Sequence, residues 1–330
     1  VVESADAEEL TVRPARAEDR DAVIELCRAS LGWRDGDPNG AFFEWKHDRN
    51  PVGASPAWVA EAPDGRLLGL RVFLRWRFTG PEGPLQMVRA VDTATHPDAQ
   101  GRGIFRRLTL GALPELADVG TAAVFNTPND QSRPGYLKMG WQVLGRVPVA
   151  VRLAAGPGAL RMRGARAAAE KWSRPTDVGL PAGELLADAD GVAALLGRLR
   201  RPDRITTDRD PALLAWRYSF EPLHYRAVPL GDRIEDGLVV FRVRRRGTAT
   251  EATICEVLDP AGDAAGRAVG WLLRHTGADY AIRVDGPGAL RAGFVPAPRL
   301  GPVLVWRPLA RPGVPALDDL ALSLGDVELF

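Results

Sequence analysis

The chain has 330 residues, 45% of them hydrophobic and 26% charged, with a net charge of +1. That length holds one large or two ordinary domains, the composition excludes disorder, and the near-neutral charge excludes a bulk affinity for nucleic acid. Two distant cysteines (Cys27, Cys255) and four histidines without ligand spacing exclude a disulfide framework and a structural metal. The cysteine usage makes a cytoplasmic protein the expectation, and with no apolar run near 18 residues and no signal-like N-terminus, no membrane span, signal peptide or membrane partner is expected.

Residues 10–16 alternate as a strand, and 18–30 place Ala22, Val23, Leu26 and Cys27 on one helical face. A short helix is predicted over 40–49, stopped by Pro51. Its aromatic residues Phe42, Phe43 and Trp45, with Trp33 before it, read as core. Three strands follow at 57–62, 67–78 and 87–95, separated by the turns Pro63-Asp64-Gly65 and Gly80-Pro81-Glu82-Gly83. Next come a helix over 102–118, a buried strand at 121–126, a helix at 132–139 and a strand at 141–153. This order describes a mixed α/β domain over 1–153. Residues 154–180, with Arg161, Arg163, Arg166 and Lys171, read as a solvated linker helix.

Residues 181–330 repeat the first half weakly. Trp45-Lys46-His47 before Pro51 matches Trp216-Arg217-Tyr218 before Pro222. Thr95-His96-Pro97 with Gly103 matches Leu258-Asp259-Pro260 with Gly266. Gly135 with Gly140-Trp141 matches Gly288 with Gly293-Phe294. Three matches in order, each with conserved internal spacing, point to a duplicated fold.

Two motifs in the first half carry chemistry. In the run from Val91 to Phe105 a strand ends at Thr95, a turn with Gly101 and Gly103 follows, and a helix begins. Amides in the first turn of a helix have no internal acceptors, and the helix dipole adds positive character, so such a turn suits a pyrophosphate. It is neither a Walker loop nor a dinucleotide fingerprint. The second motif is Asn129, Ser132, Tyr136, Gly140 and Trp141, whose spacing predicts Asn129, Ser132 and Tyr136 on one helix face. A phenol there can protonate a departing thiolate.

Together these motifs, and the opening Val12-Arg13-Pro14-Ala15 with Glu18-Asp19, resemble the GNAT acetyltransferases over residues 10–150. The resemblance implies acetyl-CoA, or another acyl-CoA, as co-substrate, without a metal. Its pyrophosphate motif Q/R-x-x-G-x-G/A reads here Gln100-Gly101-Arg102-Gly103-Ile104-Phe105, with Phe105 in place of a small residue. It implies that the backbone of Thr93, Ala94 and Thr95 binds the pantetheine arm, that Asn129 and Ser132 belong to the cofactor site, and that Tyr136 is the general acid. Candidates for the base are Asp92, Glu44, His47 and, by analogy with tandem Eis-like enzymes, the C-terminal carboxylate of Phe330. Strand alternation sets Asp92 on the face opposite Thr93 and Thr95 unless a bulge intervenes. His96 reads as a turn cap.

By the internal alignment, Asp263 stands at the position of Gln100 and Ala289 at that of Tyr136. The half 181–330 therefore reads as a degenerate GNAT-like domain. The fold expected is a pair of tandem GNAT folds, Eis-like or mycothiol-synthase-like, each a mixed, mostly antiparallel sheet with flanking helices. The activity expected is direct acyl transfer to a primary amine of a small-molecule acceptor. An acyl-CoA sensor or assembly module is the alternative, and an oligomer is compatible with either.

Overall fold

The computed structural model describes residues 10–155, 161, 168–200 and 202–328. The chain forms two compact units: one comprises the chain up to Phe78, Pro84–Leu144 and Val305–Val314, the other Thr79–Gly83, Gly145–Leu304 and the chain from Pro315 onward.

The first unit opens with β1 (Thr11–Pro14) and α1 (Arg20–Leu31), which ends at Gly32 in the left-handed region, φ +67°. The buried face of α1 is Val23, Ile24, Leu26 and Cys27, whereas Ala22 is exposed. The helical period of 3.6 carries Ile24 into the stripe and Ala22 out of it. Then α2 (Asn39–Phe43) widens into a π-helical turn, Glu44–Asp48, in which the Arg49 amide donates to the Glu44 carbonyl five residues back. The hairpin strands β2 (Ala57–Glu61), β3 (Leu67–Gly80) and β4 (Gly83–Thr95) follow, then α3 (Ile104–Asp118), β5 (Ala123–Asn126) and α4 (Arg133–Lys138).

The single strand expected over 141–153 is two strands, β6 (Gln142–Arg146) and β7 (Val149–Leu153). Pro148 lies between them and has no N–H to give a ladder. β7 belongs to the second sheet, where it pairs antiparallel with β13 (Tyr280–Val284). In return β15 (Val303–Pro308) joins the first sheet, antiparallel to β5, with Val305 opposite Asn126. The first sheet thus runs β1-β2-β3-β4-β5-β15-β6.

The second unit adds β8 (Leu180–Pro181), β9 (Ile205–Thr207), β10 (Arg226–Pro229), β11 (Leu238–Arg246), β12 (Ala249–Leu258), β14 (Val295–Pro296) and β16 (Leu320–Ala321). Its sheet runs β14-β7-β13-β12-β11-β10-β8, and β9 pairs in parallel with β16. Val239, Phe241, Ile254 and Ala281 of this sheet pack under the helix Ala265–Thr276 through Val269 and Leu272. Its interior also holds charge: Arg242 is fully buried and pairs with Glu328 at 2.7 Å. Of the segment predicted as a linker helix, residues 156–160 and 162–167 lie outside the described residues, and 168–179 are not helical: the Glu170 and Arg174 amides donate instead to the Arg245 and Val243 carbonyls of β11, at 2.9 and 2.8 Å. Arg161 is described and pairs with Asp279 at 3.3 Å.

The internal repeat is visible in backbone hydrogen bonds. Trp141 N–H donates to the Tyr136 carbonyl at 3.1 Å and Phe294 N–H to that of Ala289 at 3.0 Å; Gly140 donates to Leu137, and Gly293 to Leu290. In each unit a central strand pairs in parallel with the strand that follows the long helix, β4 with β5 and β12 with β13.

Candidate functional site

The parallel register of β4 and β5 runs only from Met87 opposite Ala123 to Arg89 opposite Phe125. β5 stops at Asn126 while β4 continues to Thr95, so Thr93–Thr95 extend past their neighbour. Ala94 is buried, Thr93 and Thr95 are half-buried, and the Thr95 carbonyl accepts the Ser30 hydroxyl at 2.9 Å. A strand end that outruns its neighbour leaves main-chain groups free for an extended ligand.

The turn beyond Thr95 is shaped by its own residues. His96 caps it, Nδ1 accepting from the Asp98 amide at 3.3 Å. Gly101 and Gly103 hold φ of +78° and +72°, and a Cβ on either would meet nothing within 4 Å. Gln100, Gly101, Arg102 and Gly103 are exposed. The amides of Gly103, Ile104 and Phe105 find no internal acceptor among the described residues, so they form an open nest at the start of α3. The Ile104 side chain does not face solvent. It is buried against Gly69 of β3, where a Cβ would come within 2.3 Å of it, so Ile104 offers a ligand only its backbone.

The ring of Phe105, the residue that departs from the family pattern, stacks edge-on against Tyr136 at 5.3 Å. Asn129 and Ser132 do not share a helix face with Tyr136, because α4 begins at Arg133. They build the turn into it: Asn129 Oδ1 accepts from the Ser132 amide at 2.8 Å and from the Ser132 hydroxyl at 2.9 Å. An Asn side chain competes well with helical backbone bonding, and that moves the helix start downstream. Tyr136 is buried, and its hydroxyl accepts from Arg71 Nη1 at 2.7 Å. Arg71 Nη1 also donates to Thr93 Oγ1. Sequence reasoning missed Arg71. The available signal was a lone cation in the apolar run Leu67–Phe73.

Asp92 has φ +41°, an irregularity that breaks strand alternation at the point where a bulge was needed. Its Oδ2 accepts from Lys46 Nζ at 2.7 Å and meets His47 Nε2 at 2.7 Å, while His47 Nδ1 meets the Ser55 hydroxyl at 3.0 Å. Burial would push the Asp92 carboxyl up, but the Lys46 charge and the His47 hydrogen bond outweigh it and hold it well below the usual carboxylate range. Burial lowers Lys46 and His47 against the opposing pull of Asp92. Glu44 is exposed and pairs with Arg49 at 2.7 Å, away from this cluster. Phe330 lies outside the described residues.

The second unit has an equivalent turn with a different filling. Asp259, the counterpart of His96, accepts from the Gly262 amide through Oδ1 and from the Ala264 and Ala265 amides through Oδ2, each at 2.9 Å. Its own carboxylate occupies the nest. Asp263, the carboxylate that sequence alignment placed at the binding position, is exposed. Ala289 stands at the position of Tyr136 and is buried.

Among the described residues no group of three His, Cys, Asp or Glu side chains could hold a metal ion, and no helix is long and apolar enough to cross a membrane. Residues 11–144 match the family model of an acetyltransferase (GNAT) domain. A probable N-acyltransferase of unknown function from Enterococcus faecalis superposes with a TM-score of 0.64 at 13% identity, over 92% of this chain and 73% of that one. A GCN5-related N-acetyltransferase from Anabaena variabilis gives 0.61 at 13% identity, over 91% and 72%. Eis1 from Mycobacterium abscessus gives 0.56 at 16% identity, over 92% and 74%. At these identities the likeness establishes the fold. A comparison with curated proteins finds no significant sequence match.

Proposed function

Residues 11–144 are an acetyltransferase domain of the GNAT type, and on that premise we propose that the chain moves an acyl group directly from acetyl-CoA, or another acyl-CoA, to a primary amine of a small-molecule acceptor. The observation that carries this reading is the open nest at Gly103–Phe105 next to the ring of Tyr136. The nest fits a pyrophosphate: its amides find no acceptor among the described residues, and the space above Gly101 and Gly103 is open. Gln100–Phe105 would hold the pyrophosphate and Thr93–Thr95 the pantetheine arm. Asn129 and Ser132 set the turn that delivers Tyr136.

In the transfer, the amine nitrogen forms a bond to the thioester carbonyl carbon and the carbon–sulfur bond breaks. The sulfur takes the Tyr136 proton. Only Oδ2 of Asp92 is engaged with Lys46 and His47, so Oδ1 can accept a hydrogen bond from the amine. A carboxylate held so low is a weak proton acceptor, so Asp92 orients the amine and balances its charge while the surplus proton passes to water. The second unit serves as a non-binding partner domain, a reading supported by the Asp259 carboxylate in its nest and by the missing phenol at Ala289.

Tyr136→Phe keeps the ring and removes the proton. General acid catalysis contributes about 10²–10⁴-fold, so kcat should fall by that order with CoA affinity nearly constant. Thiol release from acetyl-CoA with a panel of amines reads this, and full kcat in the variant would remove Tyr136 from the mechanism.

A further inference from the structure

Arg71 is fully buried in the middle of β3. One of its nitrogens, Nη1, holds the Tyr136 hydroxyl and the Thr93 hydroxyl. Among the described residues its Nε and Nη2 have no hydrogen-bond partner and it makes no ion pair. The guanidinium lies instead over three aromatic faces, Phe73 at 4.8 Å, Tyr136 at 5.3 Å and Phe105 at 5.7 Å. Ring quadrupoles compensate a buried cation only partly. A charge without a fixed counterion in such a place is costly, unless the reaction brings the counter-charge.

We propose that Arg71 is a positioning residue that supplies the counter-charge for Tyr136 when the phenol gives up its proton. The inference rests on Tyr136 being the acid. As the Tyr136 O–H bond breaks and an S–H bond forms, the negative charge moves from sulfur to the phenolic oxygen. Arg71 Nη1 is already in contact with that oxygen and stays protonated throughout; water later returns the proton to the phenolate. The same contact accounts for Phe105: a large ring at the third motif position covers the guanidinium and excludes water that would screen it. Gly135 leaves room for that ring, since a Cβ there would lie 2.9 Å from Phe105 Cε1.

The test is a cycle of four proteins, the wild type, Arg71→Met, Tyr136→Phe and the double variant, assayed by thiol release from acetyl-CoA with the best amine of the panel, or with water if none exceeds it. Removing a donor aimed at developing charge costs about 10²-fold in kcat. Arg71→Met should lose that much with KM for acetyl-CoA within a few-fold. In the Tyr136→Phe background the same substitution should change kcat less than about 2-fold. Arg71→Lys, which keeps the charge and resembles the native volume, should recover part of the loss and shows the effect even if the Met variant folds poorly. An equal loss in both backgrounds would overturn the proposal and leave Arg71 a core residue. Full kcat in Tyr136→Phe would overturn the acid assignment and this inference together.

Discussion

The turns after β4 and after β12 share a frame and differ in what their amides hold. In the first unit His96 bonds one nearby amide and leaves those of Gly103, Ile104 and Phe105 open. In the second, Asp259 reaches across and takes the amides of Gly262, Ala264 and Ala265. A helix start is an anion site in both, and one of them carries its anion in the chain. An internal carboxylate competes with any external phosphate at an effective concentration that solution cannot match. The strand carboxylates differ as well. Lys46 and His47 hold Asp92 low against its burial, whereas burial is the chief cause that raises Glu256, which accepts from Tyr218 at 3.0 Å. Asp92 is ionised, with Oδ1 unengaged among the described residues, whereas Glu256 is buried in contacts of its own with Tyr218, Arg209 and Ser323.

The largest effect should come from giving the first unit what the second has. Gly103→Asp strains a position held at φ +72° and places a carboxylate beside the open amides. Hydrogen bonds to charged groups contribute about 1.5–3 kcal/mol each, so loss of the nest should weaken CoA at least about 10²-fold in calorimetry. A folded variant with native affinity would separate the nest from CoA binding.

Asp92→Asn should act on stability. It leaves the buried Lys46 without its charge partner, a change that costs about 3–5 kcal/mol. Because the folded-state pKa of Asp92 is depressed, its contribution is complete above the ordinary carboxylate range near about 4 and is lost as pH falls through the folded value. The gap between wild type and variant in denaturant unfolding should therefore be widest at neutral pH and narrow only in acid. A gap that grew on acidification would contradict the Lys46–Asp92 pairing.

A smaller effect separates two carboxylates of the second unit. Asp259→Ala removes the acceptor of three amides and should destabilise by about 1–2 kcal/mol, as loss of a helix cap does. Asp263→Ala, at an exposed site, should stay within about 0.5 kcal/mol. Thermal unfolding of both variants checks this, and the reverse ranking would restore Asp263 as the residue that fills the nest.

The ease of reading these features from sequence followed their locality. Gly101 and Gly103 were legible because only a glycine-rich turn between a strand and a helix needs them, and Tyr136 because its spacing to Gly140-Trp141 is local. Asp259 was hidden: counting residues placed Asp263 at the binding position, while the carboxylate that fills the nest is decided by how the turn folds back on itself. Asn129 and Ser132 lie at helical spacing, yet side-chain bonding to their own backbone keeps them out of the helix. Arg71 was hidden because nothing in the run Leu67–Phe73 shows that its partners are Thr93 and Tyr136. The exchange of β7 and β15 between sheets is a long-range pairing with no local signature.

The central claim is that the chain has one acyl-CoA site and that it lies in residues 11–144. Calorimetric titration of the wild type with CoA tests it most directly. One CoA per chain, lost in Gly103→Asp and kept in Asp259→Ala, is the predicted result; two CoA per chain, or one that survives Gly103→Asp and disappears in Asp259→Ala, would contradict it.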